Sequence, residues 1–305
     1  MAPNVRSDRP DLLNPRDVAG LGGIEVVARG VVEGFLAGLH RSPFRGFSVE
    51  FAEHRPYQPG DEPRYLDWKV LGKRDRLYVK QYEEETNLRS TLVLDTSRSM
   101  GYAGDPERTL SKHEWAVRFT AALALVLLRQ RDATGLITYD DEVRAVLPPR
   151  ARHGQWHLLV RELSAQVPSR GTSAERALPR VLELLKRRGL VVLVSDLLVD
   201  RDRTLLALRY LRHRGHHVTV FHVMDPTEVA LAGPAEARYV DPETDESVVA
   251  SSADLARAYR ATVERVVAAW RRACRSSGIG YHRVTTDTPF GHALRRAAAA
   301  RSRLG

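Results

Sequence analysis

From Leu92 onward the sequence alternates short apolar runs with longer stretches of helical periodicity. The apolar runs end in turn residues and predict buried strands, whereas the longer stretches predict helices. Alternating strands and helices are typical of an α/β fold with a mainly parallel sheet. The predicted strands are residues 92–94, 135–139, 143–147, 190–194, 218–223 and 281–284, and the predicted helices are residues 107–131, 153–166, 173–187, 203–214, 252–276 and 289–301. The third strand follows a tight turn and is expected to form an antiparallel edge.

The first predicted strand leads directly into a cluster of oxygen-bearing side chains. Asp95 follows the apolar run, and Ser97 and Ser99 come at every second position before Gly101. One carboxylate and two hydroxyls at this spacing place three oxygens on one side of a curled loop, which suits a hard cation such as Mg2+. Hydrogen bonds from these side chains to the loop backbone would explain the same residues.

A later apolar strand also ends in a hydroxyl and a carboxylate, Ser195 and Asp196, and Thr172 opens a helical segment between the two strands. In an open parallel sheet, ligands bind beyond the carboxyl ends of the strands, where the winding direction reverses. If the two strands are neighbours at that point, Asp95 and Asp196 converge on one crevice with Thr172 above it.

Asp95, Ser97, Ser99, Thr172 and Asp196 match the metal-ion-dependent adhesion site of the von Willebrand factor A (vWA) fold residue by residue. Upstream motifs resemble the bacterial family called domain of unknown function 58. They are Glu33-Gly34-Phe35, His40-Arg41-Ser42-Pro43-Phe44, Phe51-Ala52-Glu53, Pro59-Gly60-Asp61, Leu66-Asp67-Trp68-Lys69 and Tyr78-Val79-Lys80-Gln81. The resemblance implies a doubly wound, mainly parallel sheet with helices on both faces.

The resemblance also implies how such a site works. The five oxygen ligands would hold Mg2+ or Mn2+, with Ser173 as an alternative to Thr172. Because the hydroxyls are neutral ligands, the cation stays electrophilic and can accept a carboxylate from another protein. Similar proteins are commonly encoded near MoxR-type AAA+ ATPases. The implied partners are therefore such an ATPase and a client protein that is bound through an acidic side chain.

We expect three parts along the chain. Residues 1–17 are polar and rich in proline, and we expect them to be flexible. Residues 18–88 are expected to form an amphipathic helix, over residues 18–40, and a small β-rich subdomain, and residues 89–305 the vWA-like domain. The aromatic side chains expected to pack the subdomain against the core are Tyr57, Trp68 and Tyr78.

The composition, with 43% hydrophobic and 28% charged residues, is that of a soluble globular protein. The single cysteine, Cys274, excludes an intrachain disulfide framework and fits a reducing compartment. The longest apolar run, residues 121–128, is far shorter than the ~20 residues that span a bilayer. No signal-peptide pattern precedes the predicted helix. We therefore expect a cytoplasmic protein without a membrane segment.

Two other classes of function are open. The net charge of +9 favours acidic partners and would suit a protein that binds nucleic acid or an anionic surface, although neither a reader helix nor an aromatic platform is evident. The carboxylates at the strand ends would suit a metal-dependent hydrolase. However, the sequence has no phosphate-binding glycine loop and no glycine-flanked serine elbow. We expect a non-enzymatic, chaperone-like adaptor that binds proteins.

Several other polar residues have structural interpretations. His216 and His217 precede a predicted strand and are expected to form a solvated turn, whereas His222 lies within that strand and is expected in the core. Asp140 and its two acidic neighbours are expected to form a turn. Cys274 lies on an apolar helix face and is expected to be a small buried residue.

Overall fold

The computed structural model describes residues 23–40, 54–56, 78–80, 88–107, 109–152, 154–168, 176–230, 236–240 and 247–301. The expected flexible segment 1–17, the predicted ligand Thr172 with its alternative Ser173, and the aromatic residues Tyr57 and Trp68 lie outside the described residues.

Helices and strands alternate along most of the described chain. In chain order they are α1 (Ile24–His40), β1 (His54–Pro56), β2 (Tyr78–Lys80), β3 (Arg89–Asp95), a 3-10 helix (Arg98–Gly101), α2 (Lys112–Arg129), β4 (Ala133–Tyr139), β5 (Val143–Arg150), α3 (Gln155–Ala165), α4 (Leu178–Leu184), β6 (Leu190–Ser195), α5 (Arg201–His213), β7 (His217–Met224), α6 (Pro226–Ala230), β8 (Glu236–Val240), β9 (Ser247–Ser251), α7 (Ser252–Ser276), β10 (Gly280–Thr285) and α8 (Phe290–Arg301).

Six strands form the central sheet in the order β10-β7-β6-β3-β4-β5. All neighbours are parallel except β4 and β5, so the predicted mainly parallel sheet with an antiparallel edge is confirmed. The chain winds outward from β3 to β4 and β5, then returns to place β6 on the other side of β3. The winding direction therefore reverses between β3 and β6, and their carboxyl ends form the kind of crevice in which α/β proteins bind ligands.

Helices cover both faces of the sheet and enclose two apolar cores. Neighbouring residues of β7 point to opposite faces, as the pleat requires, so Phe221 lies in the first core and Val220 in the second. In the first core, Trp115 of α2 stacks on Phe119 with 5.1 Å between the ring centroids and on Phe290 of α8 with 5.5 Å. Burial on both faces explains the almost continuous apolar sequences of the central strands.

Helix α1 packs on α2 and α8 and adds buried side chains, among them Val27, Val31 and Phe35, to the first core. The predicted docking of this helix is confirmed. In the β-rich part of residues 18–88, β1 and β2 pair antiparallel, with His54 opposite Lys80. A second antiparallel hairpin, β8 with β9, precedes α7. The predicted boundaries between the three parts of the chain stay predictions.

Helix α2 starts later than the predicted residue 107, because a capping box fixes its first turn at Lys112. The Ser111 hydroxyl accepts a hydrogen bond from the Glu114 backbone N–H at 3.1 Å, and the Glu114 carboxylate accepts one from the Ser111 N–H at 2.9 Å. This reciprocal arrangement satisfies backbone donors that have no partner within the helix. The Ser-x-x-Glu spacing is a helix-start signal that the apolar periodicity alone did not reveal.

Two further predictions need correction. Helix α4 covers only Leu178–Leu184 of the predicted 173–187 among the described residues, since the chain must turn back to enter β6 beside β3. His216 is buried rather than solvated. Its ring Nε2 donates a hydrogen bond to the Leu185 carbonyl oxygen at 3.1 Å, and burial lowers the pKa of His216. His217 is exposed, as expected.

The capping box predicts a measurable contribution to stability. Ser111→Ala removes the side-chain acceptor at the start of α2 and should lower the free energy of unfolding by about 1 kcal/mol. The matched control is Ser164→Ala at an exposed position of α3, where the hydroxyl bonds to the Val160 carbonyl within the same helix, so its removal should change stability little. Urea unfolding of both variants measures the difference. Equal losses would contradict a specific role for the cap.

Candidate metal centre

The two predicted carboxylates lie at the carboxyl ends of neighbouring strands. Asp95 is the last residue of β3, and Asp196 follows the last residue of β6. The two strands are parallel, with Leu94 opposite Val194, so β3 and β6 end at the same edge of the sheet. Both carboxylates are buried. The sequence prediction that β3 and β6 would bring these acids to one crevice is confirmed.

The loop after β3 adds the two predicted hydroxyls. Asp95 Oδ1 accepts a hydrogen bond from the Ser97 backbone N–H at 2.9 Å, and the Ser97 and Ser99 hydroxyl oxygens lie 3.2 Å apart. The Ser99 hydroxyl also hydrogen-bonds to the Asp196 carboxylate. The 3-10 helix that starts at Arg98 curls the loop and keeps both serines buried. Four of the five predicted ligands are therefore adjacent, and Thr172 is not described.

The loop after β6 holds its shape through its own side chains. The Ser195 hydroxyl donates to Asp95 Oδ2 at 2.6 Å and accepts from the Leu197 backbone N–H at 3.0 Å. Asp196 Oδ1 accepts from the Leu198 N–H at 3.2 Å. Leu197 adopts a left-handed backbone conformation with φ of 55°, which is uncommon for a residue other than glycine. Ser195 thus orients Asp95 by linking the two loops.

A buried lysine that the sequence analysis missed completes the cluster. The Lys112 ammonium lies 2.8 Å from Asp196 Oδ2 and 2.6 Å from Glu228 Oε1, and its side chain is 0% exposed. The Tyr102 ring covers it, with 5.7 Å between Nζ and the ring centroid. Lys112 is the first residue of α2, and its two partners lie 84 and 116 positions away in sequence. No local pattern relates these three residues.

The lysine makes the electrostatic states of the two aspartates different. Burial and the charge of Asp196 raise the pKa of Asp95 to about 6. Burial acts in the same direction on Asp196, but the Lys112 ammonium outweighs it and lowers the pKa of that carboxyl. Burial also disfavours the charge on Lys112, yet the attraction of Asp196 and Glu228 raises its pKa. Burial raises the pKa of Glu228, although the nearby Lys112 ammonium opposes that shift.

The donor set fits a hard divalent cation. Within the described ranges, no lysine or arginine lies within ion-pair distance of Asp95, so this buried carboxylate has hydrogen bonds but no opposite charge. Carboxylate and hydroxyl oxygens suit Mg2+ or Mn2+ rather than softer metals. In the described part of the chain no group of three or more His, Cys, Asp or Glu side chains could hold a metal ion, so a cation at Asp95 and Asp196 would depend on the serine hydroxyls as well. A cation here would have Asp95, Ser97, Ser99 and Asp196 as its described ligands.

Fold and site together define an α/β protein whose doubly wound sheet carries a candidate oxygen-ligand cation site at its switch point. The chain belongs to the family described as "Protein of unknown function DUF58", whose profile matches residues 53–272. The family assignment expected from the upstream motifs is confirmed. No described helix is both long enough and apolar enough to cross a membrane.

The chain is similar to uncharacterized proteins of Mycobacterium tuberculosis (Rv1480) and Mycobacterium bovis (Mb1516). Each is 27% identical over 273 residues, which cover 85% of this chain and 84% of the relative. Among solved structures it is similar to the conserved hypothetical protein BatB from Bacteroides thetaiotaomicron, with a TM-score of 0.46, 18% identity, and coverage of 71% of this chain and 98% of that one. It is also similar to a von Willebrand factor type A protein from Catenulispora acidiphila, with a TM-score of 0.40, 11% identity, and coverage of 70% and 42%.

The bond from Ser195 to Asp95 gives a second testable prediction. Ser195→Ala leaves a buried Asp95 oxygen without its donor and should destabilise the protein by about 1 to 3 kcal/mol. Ser90→Ala is the matched control, since the Ser90 hydroxyl on β3 is buried and has no hydrogen-bond partner among the described residues. Its removal should be neutral or stabilising. Unfolding of both variants in the presence of a chelator measures the difference, and a larger loss for Ser90→Ala would contradict the assigned role of Ser195.

Proposed function

We propose that the protein is a metal-dependent protein-binding module in which Asp95, Ser97, Ser99, Thr172 and Asp196 hold Mg2+ or Mn2+. The observation that carries the proposal is the buried Asp95 carboxylate, which has two hydroxyls beside it and no cationic partner among the described residues. A divalent cation would supply the missing opposite charge. The proposal further holds that the protein is not an enzyme.

When bound, the cation would supply an electrophilic centre that accepts a carboxylate oxygen from a partner protein. The chain's own residues favour this role. Ser97 and Ser99 are neutral ligands, and Lys112 offsets much of the Asp196 charge. The ligand set therefore presents less than two full negative charges to a divalent cation. The remaining positive charge favours an anionic ligand from outside the chain.

Exposed apolar side chains around the site favour a protein partner over a small anion. Leu198, two residues after Asp196, is 56% exposed, and Tyr102, directly after the 3-10 helix, is 41% exposed. Val167 is 72% exposed, and the next residue, Pro168, lies against Gly101, where an added Cβ would be 3.2 Å from the proline Cβ. Single exposed apolar residues are ordinary. Three near one candidate ligand site would provide apolar contacts beside a captured acidic side chain.

The partners in this proposal come from the family resemblance. We propose that the chain is an adaptor for a MoxR-type AAA+ ATPase and that its cation captures an acidic side chain of the ATPase or of the client protein. In this role the chain would help the ATPase to assemble or activate a client complex. The residues 54–56 and 78–80 belong to the β-rich part that would add specificity.

Calorimetric titration of chelator-treated protein with Mg2+ and with Mn2+ tests the metal site. The wild type should bind one cation saturably, and Asp95→Ala should abolish binding while the metal-free protein stays folded, because relief of a buried charge offsets the loss of the hydrogen bonds from Ser97 and Ser195. Asp202→Ala is the matched control, since that carboxylate is 83% exposed on α5. It should bind like the wild type. Absence of saturable binding to the wild type would overturn the proposed metal site.

A binding assay with the MoxR-type ATPase tests the proposed partner. Both proteins are kept in Mg2+, so that the ATPase is not deprived of its own cation, and only the chain is varied. Wild type and Asp202→Ala should be retained on the immobilised ATPase or its client, whereas Asp95→Ala should lose at least tenfold in affinity because it cannot present the cation. Equal retention of Asp95→Ala would contradict metal-mediated recruitment.

A further inference from the structure

Lys112 is the least expected feature of the site. An ammonium group with 0% exposure has lost its contact with water, and close carboxylates are the strongest compensation for that loss. Lys112 has two of them, at 2.8 Å in Asp196 and 2.6 Å in Glu228. The first is a proposed cation ligand and the second is not. The ammonium therefore forms a bridge between the candidate metal centre and a neighbouring acid.

Both carboxylate oxygens of Asp196 already have a donor. Oδ1 accepts from the Leu198 backbone N–H, and Oδ2 accepts from Lys112. The backbone donor is fixed by the loop after β6, whereas the ammonium sits on a flexible four-carbon stem. A cation that binds Asp196, directly or through water, would thus compete with the Lys112 ammonium for Oδ2.

Glu228 is held in place independently of the cation site. Its Oε2 accepts from the Asp225 backbone N–H at 2.8 Å. The same turn is joined to the loop after the 3-10 helix, because Asp225 accepts from the Gly104 N–H at 3.2 Å and Thr227 bonds to the Tyr102 hydroxyl at 3.1 Å. Gly104 packs so closely on Thr227 that a Cβ would overlap its hydroxyl. Glu228 is therefore a fixed acceptor that can keep the ammonium.

We propose that Lys112 is a built-in competitor of the divalent cation at Asp196, and that Glu228 retains the ammonium when a cation takes the Asp196 oxygen. This inference rests on the proposed function, since it concerns the same cation site. It has two consequences. Lys112 keeps the cation-free site folded by supplying a positive charge, and it lowers the affinity of the site for the cation. A partner carboxylate that binds the cation would then strengthen cation binding.

The test compares Mn2+ affinity and thermal unfolding in the wild type and three variants. Lys112→Met removes the competitor and should bind Mn2+ at least tenfold more tightly, with a lower Tm in chelator and a larger gain in Tm on adding Mn2+. Glu228→Gln removes the retaining carboxylate and should bind Mn2+ at least threefold more weakly. Arg144→Met is the control for general loss of positive charge, because this half-exposed arginine pairs with Asp140 beyond β4. It should change the affinity less than twofold.

The outcomes separate this inference from the proposed function. Equal affinities for wild type and Lys112→Met would overturn competition and leave the metal site intact, whereas no Mn2+ binding by any variant would overturn both. Binding by Lys112→Met alone would support competition and contradict metal binding by the unpartnered wild type. If Lys112→Met does not fold in chelator, Glu228→Gln decides, since unchanged or tighter Mn2+ binding by that variant would overturn the inference.

Discussion

Two carboxylates buried at the ends of adjacent parallel strands set the requirement that the surrounding site must satisfy. Moving an ionised carboxylate out of water is costly unless opposite charge or hydrogen-bond donors replace the water. The protein treats its two acids differently. Asp196 has the Lys112 ammonium, whereas Asp95 has the Ser97 N–H and the Ser195 hydroxyl but no cation among the described residues. This asymmetry is the physical basis of our proposal that a divalent cation binds beside Asp95.

The fold provides the positions that this arrangement needs. The reversal of winding between β3 and β6 brings the two acids to one edge of the sheet. The capping box at Ser111 fixes the start of α2, and its first residue, Lys112, contacts Asp196 at the same edge of the sheet. The apolar cores on both faces hold sheet and helices together, and the polar residues of the loops are left to form the site. The positions of the site residues therefore depend on the apolar packing of the sheet and helices around them.

The parts of the site that local sequence could predict are those with a local cause. Asp95 and Asp196 follow apolar strands, and α/β sheets bind ligands where the winding reverses, so the sequence predicts that the two acids meet if their strands are neighbours. Ser97 and Ser99 could be assigned to the site from their spacing after Asp95 alone. Thr172 stays a prediction. The class of fold was likewise predictable, because strands buried on both faces leave an apolar sequence that is hard to mistake.

The features that the sequence analysis missed depend mostly on tertiary contacts, which leave no pattern in the local sequence. A lysine at the start of a helix normally faces water, and Lys112 is buried only because two acids far away in sequence meet it. His216 is buried for a similar reason, since its partner is the carbonyl of Leu185 before β6. The start of α2 was different, because Ser111 and Glu114 carry a recognisable capping signal that helical periodicity alone overlooked.

The most direct measurement is a crystal structure of the wild-type protein grown with saturating Mn2+, with anomalous scattering recorded at the manganese edge. A single strong anomalous peak among Asp95, Ser97, Ser99 and Asp196 is the predicted result. An ordered site at these four residues with no anomalous signal, or a manganese ion bound only elsewhere, would contradict a metal-dependent function for this protein.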